Sequence, residues 1–78
     1  MKFETAQGEK EVEQVLASEV RPGQRILLFD GIHKPQVCTV GKDEDSMTIF
    51  WAVFEDDASQ EQYLDLKPHY PVYRVVDP

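Results

Sequence analysis

The segment 47–54, MTIFWAVF, has the strongest structural preference of any part of this chain. Its β-branched and aromatic residues favour an extended backbone, the segment is too short for a typical helix, and its length suits a central β-strand. Shorter β-rich segments bounded by turn residues follow the same pattern: RILLF at 25–29, QVCTV at 36–40, a weaker segment at 62–66 and VYRVV at 72–76. Short strands separated by tight turns are typical of an antiparallel meander.

The length of 78 residues allows one small domain, covering residues 1–78. A hydrophobic content of 41% is enough for a core. A chain of this size nevertheless buries only about 60% of the surface that its unfolded form exposes. An open sheet would leave two edges and one wet face, which such a thin core tolerates poorly. We therefore predict an all-β fold in which five or six antiparallel strands curl into a small barrel.

The first twenty residues are less constrained. Residues 1–10 carry one large apolar side chain and are predicted to form a flexible arm. In residues 11–20, a helix would place four apolar side chains on one face: Val12, Val15, Leu16 and Val20. The alternative is a strand through residues 12–16 followed by a short turn at 17–19. Arg21-Pro22-Gly23-Gln24 is a strong turn signal that ends either structure.

Two segments carry a resemblance to a known fold family. ASEVRPGQRILLF at 17–29 resembles the opening of small SH3-like barrels of bacterial or phage type, where a hydrophobic-x-Pro-Gly-polar-x-Ile step leads into the first long strand. LDLKPHYPVYRVV at 64–76 is similar to the way such barrels close. The resemblance implies a five- or six-stranded antiparallel SH3-like barrel and carries no chemistry. An OB-like barrel and a sheet capped by an N-terminal helix are the alternative folds.

The chain departs from two functional groups of that fold. It lacks the early tyrosine cluster of the peptide-binding SH3 domains of signalling proteins. It also lacks the basic, glycine-rich turn of the ribosomal and transcription-factor versions. The resemblance therefore predicts the fold and leaves the function open.

Charge is distributed in blocks along the chain. The total is 15 acidic against 8 basic residues, a net charge of −7. The charged residues in the segment 43–66 are all acidic. Residues 20–42 form a basic block with Arg21, Arg25, Lys34 and Lys42. Nucleic acids and anionic membranes are bound through clustered Lys and Arg, of which this chain has few. Both are therefore disfavoured as partners.

The candidate chemical groups do not form a known catalytic or metal-binding motif. Cys38, the only cysteine, is interpreted as a small buried hydrophobe, because His33 and His69 lie at spacings unlike a zinc or nucleophile motif. The acidic stretches Asp43-Glu44-Asp45-Ser46 and Glu55-Asp56-Asp57 lack the spacing and central glycine of an EF-hand. We expect no enzymatic activity, no cofactor and no bound metal.

The cellular compartment is predicted from the cysteine content and the N-terminus. A single cysteine excludes an intramolecular disulfide and favours a reducing compartment. The first twenty residues are charged throughout, unlike a signal peptide, and no apolar run approaches the roughly 20 residues that span a bilayer. We expect a cytoplasmic protein.

Aromatic residues in the segment 47–54 suggest a binding surface. Strand alternation would place Trp51 on one face and Phe50 and Phe54 on the other, and both faces cannot line the interior of a small barrel. Trp51 therefore either fills the core or lies on the surface, and the sequence leaves both open. The predicted partner-binding residues combine exposed aromatics with acidic loops: Trp51, Tyr63, Tyr70, Tyr73, Asp43, Glu44, Asp45, Glu55, Asp56 and Asp57.

Three functions compete on this basis. The first is a protein-interaction module that docks a protein partner, or a second copy of itself, through these aromatic and acidic residues. The second is an acidic mimic of nucleic acid that occupies a DNA-binding protein. The third is a weak nucleic-acid binder that uses the block Arg21, Arg25, Lys34 and Lys42. The sequence favours the first.

Overall fold

A computed structural model describes residues 1–42, 49–55 and 61–76 of the chain. Within these ranges it contains seven β-strands: β1 Lys2–Thr5, β2 Gly8–Leu16, β3 Arg25–Leu28, β4 Gln36–Lys42, β5 Ile49–Phe54, β6 Glu61–Asp65 and β7 Pro71–Val75. A single 3-10 turn, Ala17–Glu19, separates β2 from β3. Across the described residues, no helix has the length and apolar character needed to cross a membrane.

The seven strands form one antiparallel sheet in the order β1-β2-β7-β3-β4-β5-β6. The predicted all-β class is confirmed. The sheet is not closed into a barrel, so the predicted barrel of five or six strands is not confirmed. The additional strands come from the N-terminal residues, which form a β-hairpin on the edge of the sheet.

The N-terminal hairpin is fixed by polar contacts as well as by strand pairing. Residues 1–10, predicted to be a flexible arm, form β1 and the start of β2. Gly8, at φ 98°, adopts the left-handed conformation that the turn needs. The Gln7 side chain accepts a hydrogen bond from the Val37 N–H at 2.9 Å and donates one to the Gln36 side chain at 3.0 Å. The turn is therefore tied to the start of β4.

Residues 11–20 adopt the strand alternative, with β2 running to Leu16 and the 3-10 turn following it. The helix-like spacing of Val12 and Val15 has a different cause. In a strand, side chains three residues apart point to opposite faces. Val12 lies in one hydrophobic cluster and Val15 packs against another.

The two clusters lie on opposite faces of the central strands. The large core contains Val20, Ile26, Cys38, Val40, Phe50, Ala52 and Val72, with Val15, Leu28, Phe54, Leu64 and Leu66 packed against it. The small core contains Val12, Leu27, Val37 and Val75, with Phe3 and Tyr73 packed against it. Successive residues of β3 and β4 therefore enter different cores, which explains why both segments are apolar at consecutive positions.

The strands β3 and β7 separate beyond one point of contact. Only Ile26 and Arg74 are Cα partners between them. Beyond this pair three rings pack together near the small core: the Phe3 and Tyr73 centroids are 4.9 Å apart, and Phe29 lies 5.8 and 5.9 Å from them. These edge-on and tilted geometries are favourable for aromatic pairs.

The connection between β3 and β4 is organised by one carboxylate. Asp30 Oδ1 accepts hydrogen bonds from the N–H groups of Ile32 and His33, each at 2.8 Å. Asp30 Oδ2 lies 2.9 Å from His33 Nδ1. The hydrogen bonds from the His33 side chain, the His33 N–H and the Ile32 N–H hold the pKa of Asp30 well below its usual range.

We predict that Asp30 titrates at lower pH than an aspartate in a peptide. Because its pKa is lower in the folded state, ionised Asp30 stabilises the fold above the unfolded pKa of about 4, and this contribution is lost as the pH falls through the folded pKa. The measurement is the pH dependence of the Asp30 side-chain carboxyl ¹³C shift. An ordinary titration near pH 4 would contradict the prediction. Asp30→Asn is the control, and should remove the associated pH dependence of stability.

A second prediction concerns the thiol of Cys38, which is fully buried in the large core. We expect Cys38 to react with a thiol reagent such as DTNB only when the sheet opens, at least about a hundredfold more slowly than in the denatured chain. The rate of the DTNB reaction is measured in buffer and in denaturant. Similar rates in both would show that the large core does not protect this residue.

Candidate functional site

One face of β4, β5 and β6 carries the most exposed aromatic pair of the central sheet. Trp51 on β5 is the Cα partner of Gly41 on β4 and of Tyr63 on β6. The three residues therefore form a row across the strands. Trp51 is 37% exposed and Tyr63 is 66% exposed. We call this surface the Trp51 face; by strand alternation and register it comprises Thr39, Gly41, Trp51, Val53, Glu61, Tyr63 and Asp65.

The position of the Trp51 ring depends on the glycine beside it. A Cβ atom built on Gly41 would fall 2.6 Å from Cη2 of Trp51, and closer still to Cζ2 and Cε2. The indole therefore lies directly on the main chain of β4, in the space that any other residue would fill. Glycine weakens a strand interior, and an aromatic residue across from it restores the lost packing. Trp51 is thus held in place by a strand neighbour while keeping part of its ring exposed.

Acidic side chains flank the aromatic row at β6. Glu61 and Asp65 lie on either side of Tyr63 on the same face of β6, and both are exposed. Glu55, just after β5, accepts a hydrogen bond from Arg25 Nη1 at 2.8 Å. Both side chains of this ion pair are partly buried. The β6 end of the face is therefore negative, whereas the charge of Glu55 is balanced by Arg25.

The structure divides the predicted partner-binding residues among several places. Trp51 and Tyr63 lie together, with Glu55 beside the same strand. Tyr73 packs in the aromatic group of the small core. Tyr70 is 54% exposed and precedes β7. The predictions for five acidic residues fall outside the described residues: Asp43, Glu44, Asp45, Asp56 and Asp57.

Tyr70 borders a cavity of about 360 Å³ in the fork between β3 and β7. A second cavity of about 330 Å³ shares Leu28 and Phe29 with it and extends to Phe54 and Leu64. Phe29 is 53% exposed at this opening. Sequence reasoning assigned Phe29 to a strand and missed its exposure. The Asp30-Gly31 turn signal directly after it places Phe29 at the end of the sheet, where side chains are less covered.

The basic block does not form one continuous patch. Lys34 pairs with Glu4 at 3.5 Å, and Arg25 pairs with Glu55. Arg21 and Lys42 line a different cavity, near the 3-10 turn. Arg21 also donates a hydrogen bond to the Ser18 carbonyl at 2.8 Å. Two of the four cations are therefore balanced by acids on neighbouring segments.

Cys38 and His33 lie in different parts of the structure. Cys38 is buried in the large core, whereas His33 is exposed beside Asp30 in the β3–β4 connection. Among the residues that the structure describes, no group of three or more His, Cys, Asp or Glu side chains could hold a metal ion.

Comparison with protein-family models, curated proteins and solved structures finds no match to this chain. The geometry of the Trp51 face is therefore the basis for assigning a function. The Trp51 face combines a fixed, partly exposed indole, an adjacent phenol and an acidic margin. Chemically, such an arrangement offers ring contacts and carboxylates for pairing with cations.

We predict that Gly41→Ala destabilises the protein, although alanine is usually favoured over glycine in a strand by roughly 0.5–1 kcal/mol. The added methyl group would displace the Trp51 ring, so we expect a loss of about 1–3 kcal/mol, as for overpacking. Urea denaturation measures the change. In a Trp51→Val background the same substitution should be neutral or stabilising. An equal loss in both backgrounds would show that the ring does not depend on Gly41.

Proposed function

We propose that this protein is a non-enzymatic interaction module that docks a protein partner through the Trp51 face. The observation that carries the proposal is the cross-strand row of Gly41, Trp51 and Tyr63, which presents two partly exposed rings side by side. Tryptophan and tyrosine are enriched among the residues that contribute most to binding energy at protein interfaces. Elsewhere in the sheet, aromatic rings such as Tyr73 pack against the small core.

Preorganisation supports this role. Association costs free energy when flexible side chains must be ordered at the interface. The Trp51 indole is already seated on the Gly41 main chain, and Tyr63 lies beside it on a paired strand. Little side-chain freedom of Trp51 therefore remains to be lost on binding. A partner would therefore retain most of the gain from covering these rings.

The charge of the face indicates the chemistry of the partner. Glu61 and Asp65 border Tyr63, and the chain as a whole carries a net charge of −7. The acidic residues predicted as partner-binding lie on both sides of β5 in the sequence. A partner with cationic side chains around an apolar centre complements this surface, and the charge also accelerates encounter with it.

The SH3-like relationship is part of the proposal. Its support is the Val20-to-Ile26 step, in which Gly23 adopts φ 90° and donates a hydrogen bond from its N–H to the Val40 carbonyl at 2.8 Å. This turn leads directly into β3. A cytoplasmic location, proposed from the single cysteine, suits an accessory protein that acts on another protein.

The two nucleic-acid alternatives receive less support from the geometry. Direct binding through the basic block would use Arg25 and Lys34, which already pair with Glu55 and Glu4. Mimicry of nucleic acid would need carboxylates along one face, and on β6 the acids are interrupted by Tyr63. An aromatic residue at the centre of the acids favours a protein partner.

We predict that a photo-crosslinking residue at position 63 captures a discrete protein partner in cells of the source organism. The control position is Ile32, which is 85% exposed in the β3–β4 connection. Mass spectrometry of the adducts should identify a protein from position 63 that is absent from position 32. No adduct at 63, or the same adducts from both positions, would overturn the proposed function.

A pair of matched variants then tests whether the Trp51 face is responsible. Trp51→Leu should reduce the adduct at position 63 several-fold, because the ring contributes to the interface. Tyr70→Leu, which changes a similarly exposed aromatic residue on another surface, should leave the adduct unchanged. Circular dichroism of both variants shows whether the fold is retained. An equal effect of the two substitutions would place the interface elsewhere.

A further inference from the structure

We propose that the partner contributes an extended segment that adds to β6 as a further strand, with basic side chains on either side of a central aromatic or apolar residue. This inference rests on the proposed function and specifies its partner. The segment would bind at the edge of the sheet rather than on its face. Within the described part of the chain, β6 pairs with β5 alone and is the last strand of the sheet.

The edge of β6 away from β5, which no described strand covers, offers backbone groups for pairing. In an antiparallel sheet, alternate residues of an edge strand direct their N–H and C=O groups away from the sheet. Addition of a strand to such an edge is a common mode of peptide recognition, in which main-chain hydrogen bonds provide affinity and side chains provide specificity. The five residues Glu61–Asp65 are long enough to pair with a short segment.

The outward side chains of β6 define what that segment must carry. Glu61, Tyr63 and Asp65 occupy the Trp51 face at alternate positions. Side chains directly opposite on a neighbouring strand lie about 4.5–5.5 Å apart at Cβ, and opposite charges at such positions attract. Lys or Arg opposite Glu61 and Asp65, with an aromatic or apolar residue opposite Tyr63, would match all three positions.

The other face of the added strand would lie beside a partly apolar cavity, whose polar walls are Asp30, Lys34, Gln36 and Gln62. Leu64 points to the opposite face of β6 and packs against the large core. Leu64 and Gln62 border the cavity of about 330 Å³ whose walls include Leu28, Phe29 and Phe54. The two intervening residues of the segment would lie beside this opening, so apolar side chains are favoured there. The preferred pattern is therefore basic, apolar, aromatic, apolar, basic.

Pairing with the β6 strand of a second copy is disfavoured in the register centred on Tyr63. Antiparallel pairing of two β6 strands about a two-fold axis at Tyr63 would place Glu61 of one copy opposite Asp65 of the other. Like charges directly opposite one another destabilise a sheet. Acidic side chains thus protect the edge from self-association, as charged residues commonly do on edge strands, while attracting a basic segment. The charge complementarity favours a different chain as the occupant.

The test uses a capped synthetic peptide with lysine, valine, tyrosine, valine and lysine in succession, flanked by threonines. Titration is followed by backbone amide shifts and by the emission of Trp51, the only tryptophan in the chain. We expect the largest amide shifts in β6 and binding that weakens with salt. A peptide with glutamates in place of the lysines should not bind. Failure of the lysine peptide to bind, or shifts centred elsewhere, would overturn the inference.

Backbone methylation separates strand addition from side-chain docking. Two versions of the peptide carry N-methyl groups on alternate residues, one version on each set. Only one set of N–H groups faces β6 in an added strand, so one version should lose binding and the other should keep it. Equal binding by both versions would show that the main chain of the peptide does not pair with β6.

The charged positions are tested with matched variants of the protein. Glu61→Gln combined with Asp65→Asn should weaken binding by about 3- to 10-fold, because two exposed ion pairs are lost. Glu9→Gln combined with Glu11→Gln removes the same charge at the far end of the sheet and should leave affinity unchanged; both acids are exposed there. Equal effects of the two pairs would reduce the role of β6 to general electrostatic attraction.

The outcomes distinguish this inference from the proposed function. A specific adduct at position 63 without peptide binding would retain the Trp51 face as an interface and reject strand addition by a basic segment. Absence of both would reject the two together. Peptide binding in the expected pattern, with a partner adduct that contains a matching segment, would support both.

Discussion

Burial of β3 and β4 on both faces is the constraint on which the rest of the structure depends. Ile26 and Cys38 contribute to the large core, and Leu27 and Val37 contribute to the small core. The two clusters share these central strands, so consecutive apolar residues of β3 and β4 are buried on both faces. The N-terminal hairpin supplies Phe3 and Val12 to the small core, which is why the first residues are part of the sheet.

Among the residues that the structure describes, this arrangement leaves the outer face of β5 and β6 without a covering layer. The large core takes Phe50 and Ala52 from β5, so Trp51 must point the other way. Gly41 then provides a seat for the indole on the main chain of β4. The protein thereby keeps an aromatic surface ordered without burying it. The proposed interface is a consequence of how the two cores divide the apolar residues between them.

The sequence predicts the strands from residue 25 onward because their β-rich segments and turn residues are local signals. The segments 36–40 and 72–76 correspond to β4 and β7 within two residues at each end. The strand order could not be read in this way, because the pairing of β2 with β7 joins residues that are far apart in the chain. The candidate site was predicted only in part, because its cross-strand partners also belong to segments that are apart in the chain. Alternation predicts opposite faces for Trp51 and Phe50, but the partnership of Trp51 with Gly41 and Tyr63 depends on register.

The position of β7 also has a consequence for the order of events during synthesis. β7 follows all the other strands along the sequence, yet it lies between β2 and β3 in the sheet. Until it has emerged from the ribosome, β2 has no partner on that side, and Val72 and Val75 are missing from the two cores. Folding must therefore wait for the C-terminal strand. Meanwhile, the unpaired strand edges and half-formed cores of the nascent chain are exposed to chaperones and to other unfolded chains.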